Sequence, residues 1–179
     1  NKPFNRVPQY EREIKCFHDH GIMLNPGVIF GFDHDDEAVF ARTVEFLVKN
    51  NLELAYFNIM TPLPGTPLFE RMKAGGRIFD HDWAHYDGKH VVFWPKRMSP
   101  EALQEGFFWA NHRFFSYDSI FRRLFYTSQR IPARLAMNLA FRHLVKRTAP
   151  KGSLSPLSQI IQNLQVKLPA FATENLIPN

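Results

Sequence analysis

The chain has 179 residues and a mass of 20.9 kDa, with 45% hydrophobic and 22% charged residues. These values exclude a collagen-like, mucin-like or wholly disordered polypeptide, and apolar runs such as Val28-Ile29-Phe30 are far too short to cross a bilayer. The formal charge of +5 divides unevenly: net −3 over residues 1–95, net +8 over 96–151 and zero over 152–179.

In chain order, Tyr10, Ile14 and Phe17 recur at helical spacing, and Gly21 is placed to end that helix. Residues 22–32 are apolar on both faces, the pattern of a buried parallel strand. Asp33-His34-Asp35-Asp36-Glu37 puts acids where a helix N-terminus favours them. A helix follows from Val39 to about Lys49, then a strand over Leu54–Met60. Strand, helix and strand make a βαβ unit with a right-handed crossover.

Pro64-Gly65 suits the centre of a type II turn. Thr66 as N-cap and Pro67 at the first helical position open a short helix that Gly75-Gly76 closes. Residues 77–98 are irregular, with a short strand candidate at Val91–Trp94. Ser99-Pro100 opens a helix to about Phe115, and further helices are predicted at 117–128 and 132–147. Ser155-Pro156 starts a last short helix, and the tail from Leu168 is frayed. The change of charge near Phe93–Ser99 marks a boundary.

Ligands of parallel α/β sheets gather at the carboxyl ends of the strands. Those ends are Gly31-Phe32-Asp33 and Met60-Thr61-Pro62-Leu63-Pro64-Gly65. Gly27 and Gly31 inside an apolar strand need a cause. They serve either close approach of a flat ligand, or a bulge or tight packing against a neighbouring helix.

Two stretches carry a family resemblance. Gly27-Val28-Ile29-Phe30-Gly31-Phe32-Asp33-His34-Asp35 resembles the G-x-I-x-G-x-x-x-acid fifth strand of radical S-adenosylmethionine enzymes. Thr61-Pro62-Leu63-Pro64-Gly65-Thr66-Pro67-Leu68-Phe69 resembles the end of their sixth strand. With Trp83, Tyr86-Asp87-Gly88, Val92-Phe93, Pro95-Lys96 and Met98-Ser99-Pro100, the order is similar to the C-terminal region of cobalamin-binding-domain radical S-adenosylmethionine proteins. That group includes hopanoid-modifying enzymes, and the likeness covers residues 1 to about 125.

The resemblance implies an α/β fold: the last two strand–helix units of a partial radical S-adenosylmethionine barrel, followed by a mostly α-helical C-terminal domain. Residues 1–76 would be the barrel piece, 77–98 a linker with a short strand, 99–165 a helical cap and 166–179 a tail. The family contacts the adenosine of S-adenosylmethionine from these strands. The implied cofactor-binding set is therefore Gly27, Ile29, Gly31, Asp33 and Asp35 on one side, and Asn58, Met60, Thr61 and Leu63 on the other. Asp35 stands where the family often has Glu. The implied cofactors are S-adenosylmethionine, a 4Fe–4S cluster and cobalamin. The implied chemistry is hydrogen abstraction by a 5′-deoxyadenosyl radical and methyl transfer to a lipid-like substrate.

The family holds its cluster on a C-x3-C-x2-C motif. The lone Cys16 sits on a predicted helix and reads as a buried or half-buried residue. One thiol cannot hold a cluster, build a disulfide framework or form a Cys-rich zinc site, and it fits a reducing compartment. The chain also starts at Asn1. It is therefore expected to be the C-terminal part of a larger enzyme, with the cluster ligands upstream and no turnover by itself. The catalytic residues are left unassigned, and no residue is assigned as a metal ligand.

Other patterns carry less. His81 and His85 have the spacing of paired zinc ligands, but no H-E-x-x-H is present. Ala38 stands where a calcium loop starting at Asp33 needs glycine. His34 is a proton-donor candidate or a plain helix-entry residue. Arg122, Arg123, Arg130, Arg134, Arg142, Lys146 and Arg147 interleave with apolar residues. That pattern reads first as amphipathic helices with arginines in water. A surface for anionic lipid comes second, and nucleic acid is set aside for want of a binding module. Two alternatives stand beside the enzyme: a non-catalytic basic helical module docking a membrane or partner protein, and a degenerate paralogue. The expected partners are a small-molecule or lipid-like substrate and the N-terminal part of the same protein. The expected location is the cytoplasm, with membrane association through the basic helices.

Overall fold

The computed structural model describes residues 7–124 and 131–148. Its first element, α1 (Val7–Asp19), ends as the glycine signal predicts. The Gly21 N–H donates to His18 O at 2.9 Å and the Ile22 N–H to Phe17 O at 3.0 Å, the paired bonds of a Schellman motif. Cys16 is exposed, which corrects the expectation of a buried thiol. The helix turns half-buried Ile14 toward the body, and two residues along a helix is more than half a turn.

β1 (Gly27–Phe30) and β2 (Tyr56–Ile59) pair in parallel, with Gly27 opposite Tyr56 and Ile29 opposite Asn58. They are joined through α2 (Val39–Lys49). The strand period of two sends Val28, Phe30, Phe57 and Ile59 to one face and Gly27, Ile29, Tyr56 and Asn58 to the other. The first face is the core. Phe30 meets Phe40 edge-on at 4.9 Å and stacks on Phe57 at 5.9 Å, and Phe57 meets Phe114 at 5.7 Å. The second face is open: Ile29 is 48% and Tyr56 51% exposed. The strand predicted as buried on both sides is thus covered on one only.

The two edges of the pair also differ. The Tyr56 and Met60 N–H groups donate to Pro26 O and Phe30 O at 2.9 and 2.8 Å. Alternation then points the backbone groups of Gly27 and Ile29 away from β2. On the far edge of β2, the Ile59 N–H donates to Gly88 O at 2.7 Å. The segment between helices therefore runs along β2. It contains an isolated antiparallel bridge, Ile78 with Phe93, and a single 3₁₀ turn, Trp83–His85.

α3 (Pro67–Ala74) and α4 (Pro100–Phe114) start as their N-cap and proline pairs predict. Thr66 Oγ1 accepts the Phe69 N–H at 3.2 Å, and Ser99 Oγ accepts the Ala102 N–H at 3.0 Å. α4 lies close against α2, because Gly106 leaves room for the Phe40 ring. α5 (Tyr117–Leu124) and α6 (Ile131–Thr148) complete the described chain. The end of the 117–128 helix, the Ser155-Pro156 helix and the tail lie outside the described residues. Among the described residues, no helix is long and apolar enough to cross a membrane.

Of the basic residues on these helices, Arg122, Lys146 and Arg147 are exposed as the amphipathic pattern expects, whereas Arg123 and Arg134 depart from it at 0% and 2% exposed. Arg123 Nη1 donates to Leu52 O at 2.7 Å and Glu53 O at 2.8 Å. Its Nη2 donates to Phe114 O at 2.8 Å and Asn138 Oδ1 at 3.1 Å, and its Nε to Ser119 Oγ at 3.2 Å. The guanidinium lies 3.7 Å from the Phe114 ring centroid. Burial pushes its pKa down to about 9 against the pull of Glu53, so it stays protonated at neutral pH. Glu53, 1% exposed, meets Arg134 Nη2 at 3.1 Å and accepts the Leu24 N–H at 3.0 Å. A buried charge needs this kind of partnership. The knot ties α5 and α6 to the loop that leads into β2.

Candidate functional site at the strand ends

The parallel pair offers two surfaces: its open face and the turns at its carboxyl ends. On the open face, Gly27, Ile29, Tyr56 and Asn58 adjoin through the register. A Cβ added at Gly27 would meet nothing within 4 Å. The Asn58 side chain sits under Gly88, whose added Cβ would lie 3.1 Å from Asn58 Oδ1.

Gly31 differs from Gly27. Its φ of +100° disfavours any side chain, and an added Cβ would press on Leu103 at 3.0 Å and Phe93 at 3.1 Å. Of the two causes open for a strand glycine, packing against a neighbouring helix is the one seen here. The turn after it is held by Asp35, buried at 7% exposure. Asp35 Oδ2 accepts the Gly31 N–H at 3.0 Å and the Phe32 N–H at 2.9 Å. The acids predicted at a helix N-terminus are thus used earlier, because α2 begins at Val39 behind Ala38 with no side-chain cap.

Asp33 projects from the same turn. Its Oδ2 lies 2.8 Å from Lys96 Nζ and its Oδ1 2.7 Å from Arg77 Nη1. The Lys96 ammonium, helped by the Arg77 guanidinium, holds this carboxyl below the usual carboxylate range against the cost of partial burial. His34 is exposed, stacks on Phe32 at 6.0 Å and lies 3.9 Å from Asp35. At the end of β2, Met60 is buried, Thr61 Oγ1 donates to Ile59 O at 3.1 Å, and Leu63 is half exposed. Thr66 N–H to Leu63 O, 3.2 Å, closes the Leu63–Thr66 turn. Gly65 has the positive φ, +79°, that the third position of a type II turn requires.

Around the segment beside β2, His85 Nδ1 lies 2.6 Å from Asp80 Oδ2 and His90 Nδ1 3.0 Å from Asp87 Oδ1. The bond to Asp80 raises the His85 pKa. Trp83 contacts Tyr86 at 4.8 Å and Phe69 at 6.4 Å. No group of three or more metal-ligating side chains forms among the described residues.

The sequence-predicted residues therefore divide. Gly27, Ile29 and Asn58 share the open face. Gly31, Asp33 and Asp35 shape the first turn, and Met60, Thr61 and Leu63 the second. Tyr56 was missed, although its alternation with Asn58 marks it. Arg77 and Lys96 were missed because nothing local to either connects it with Asp33.

No protein-family model matches the chain. It is 38% identical over 124 residues to bacteriochlorophyllide d C-12(1)-methyltransferase of Chlorobaculum tepidum, covering 69% of this chain and 27% of that protein. It is 24% identical over 138 residues to bacteriochlorophyllide d C-8(2)-methyltransferase of the same organism, covering 77% and 30%. It is also 26% identical over 82 residues to hopanoid C-2 methylase of Rhodopseudomonas palustris, covering 46% and 16%. The chain thus spans under a third of the length of these curated relatives. All three are named as methylating enzymes, so the curated relatives of this chain are methyltransferases.

Proposed function

We propose that the chain is the C-terminal portion of a radical S-adenosylmethionine methyltransferase, whose barrel it completes with two strands and a helical cap. The observation that carries this is the open face of the β1–β2 pair, with bare backbone at Gly27 beside Ile29, Tyr56 and Asn58. An adenine ring needs apolar walls and a few polar groups. Ile29 and Tyr56 form the wall, and the Asn58 amide is the polar group. S-adenosylmethionine, when bound, supplies the methyl group and the radical precursor of the family's chemistry. The chain's own residues bind, orient and exclude water. The aromatic-rich helices from Ser99 onward pack behind the pair, on its core face, and hold the open face in place, while the turns at Gly31–Asp35 and Leu63–Thr66 fix the rim.

A 4Fe–4S cluster does not fit this chain, since the lone Cys16 is exposed and offers one thiol where three are needed. Its ligands belong, in this proposal, to a C-x3-C-x2-C motif upstream, and cobalamin likewise to the rest of the enzyme. For the substrate, the bacteriochlorophyllide relative matches at 38% over 69% of the chain, against 26% over 46% for the hopanoid one. We favour a large, flat, apolar tetrapyrrole acid over a plain hydrocarbon lipid. A membrane-docking role is the weaker alternative. Arg123 and Arg134 are buried, and Arg142 lies 4.0 Å from the Tyr117 ring while donating to Phe115 O at 2.7 Å.

The test is Gly27→Val in the full-length enzyme. A β-branched residue suits the strand but fills the bare patch. S-adenosylmethionine affinity by calorimetry should fall roughly ten-fold or more, with the circular dichroism spectrum unchanged. Unchanged affinity would refute the adenosine site.

A further inference from the structure

The carboxyl end of β1 carries two cations on one carboxylate, and one of them is incompletely satisfied. Arg77 is mostly buried. Its Nε donates to Trp94 O at 2.9 Å and its Nη1 to Asp33 Oδ1 at 2.7 Å. Its Nη2 is buried and takes no hydrogen bond among the described residues. Buried guanidinium nitrogens are nearly always satisfied, so Arg77 is held short of one acceptor. Lys96, well exposed, stands on the other oxygen of Asp33 at 2.8 Å. Arg97 Nη1 reaches His34 O at 3.0 Å and adds a third cation to the rim. Nearby acids are otherwise engaged: Asp35 accepts two backbone amides, and Asp36 pairs with Arg42 at 2.9 Å.

We propose that Arg77 and Lys96 form the site for a carboxylate of the substrate, with Asp33 as the internal stand-in that the incoming carboxylate displaces. A guanidinium presents two parallel N–H groups to a carboxylate. Asp33 takes only the Nη1 side, and a ligand acid in its place would sit between Arg77 Nη1 and the exposed Lys96 Nζ. Asp33 is about half exposed, at 47% for its side chain, so it can swing into water when displaced. The low pKa of Asp33 keeps it charged, so the cations are never left without a partner before the ligand arrives. The site lies at the carboxyl end of β1, the end where ligands of parallel sheets gather, so a substrate seated there would be gripped at its acid. This inference rests on the tetrapyrrole-acid substrate proposed above.

The experiment uses the full-length enzyme, with a chlorin monocarboxylic acid and its methyl ester as probes, titrated by the shift of their main visible absorption band. The wild type should bind the acid about ten-fold more tightly than the ester, the scale of one charge-assisted pair. Arg77→Gln should bring that ratio close to one. Lys96→Gln, at an exposed position that folding does not need, should lower it in the same direction and keeps the test open if Arg77→Gln fails to fold. Asp33→Asn should raise the ratio, because it removes the competitor; a purely structural ion pair would not do this. Equal binding of acid and ester by the wild type overturns the carboxylate site but leaves the substrate class standing. Binding of neither probe overturns the substrate class and this inference with it. If Lys96→Gln lowers affinity for S-adenosylmethionine and leaves the acid-to-ester ratio intact, the cations serve the cofactor and the inference falls.

Discussion

Arg123→Met removes five hydrogen bonds while keeping most of the buried stem. The carbonyls of Leu52 and Phe114 lose the Arg123 donor, whereas Glu53 O keeps Asn138 Nδ2 at 3.0 Å. Phe114 O matters doubly, because it ends α4, where a cation also offsets the helix dipole. Each orphaned buried acceptor costs about 1–3 kcal/mol. Glu53 remains buried and loses one of its two neighbouring guanidinium groups. Removing one partner from a buried charged assembly costs about 3–5 kcal/mol, unlike replacement of the whole assembly, which is often neutral. A loss of about 4 kcal/mol is therefore expected, a large part of the roughly 5–15 kcal/mol that holds a typical domain. In urea, with a slope of about 2 kcal/mol per molar, the midpoint by far-UV circular dichroism should fall by about 2 M. A fall of less than about 0.5 M would mean that the pocket fills with water at little cost and that the knot is not what holds α5 and α6 in place.

Gly106→Ala should destabilise by about 1–3 kcal/mol, seen as a lower thermal midpoint, because the new methyl overlaps the Phe40 ring. Helix propensity alone predicts a gain of about 1 kcal/mol, so the sign of the shift decides between packing and propensity. Two histidines should titrate in opposite directions by NMR. The Asp80 bond raises His85 above 6.5, so its stabilisation is full below 6.5 and fades as pH rises through the folded value. Burial lowers His112, with Arg142 and Lys146 adding to the effect, so the folded state resists its protonation and stability falls as pH drops below 6.5. A His85 midpoint below 6.5 or a His112 midpoint above it would contradict the environment of that residue.

Legibility in the sequence followed the range of the interactions. Thr66-Pro67 and Ser99-Pro100 are caps whose partners lie three residues away, and both helices start where the sequence places them. The βαβ order was legible because two short apolar runs flank a segment with helical spacing. Arg123 was not legible, because its main partners, Leu52 and Glu53, lie 71 and 70 residues away and its own neighbours read as a solvated amphipathic face. At the rim, Gly31 and Asp35 were marked by pattern. Their physical tasks, making room for Leu103 and Phe93 and closing a turn on two amides, depend on contacts that no local spacing encodes. Tyr56 falls between these cases: its exposure follows from alternation, yet an aromatic residue in an apolar run reads as core.

The unequal edges of the two-stranded pair give the sheet a direction of growth. Gly88 O blocks the β2 side, so a further strand can join only along Gly27–Phe30. Among the described residues nothing pairs with that rim, and the strand holds no proline or charge to discourage a second copy. Self-association through β1 is therefore the failure to expect at high concentration. A lysine at Ile29, outward-facing beside that rim, is the substitution that would suppress it.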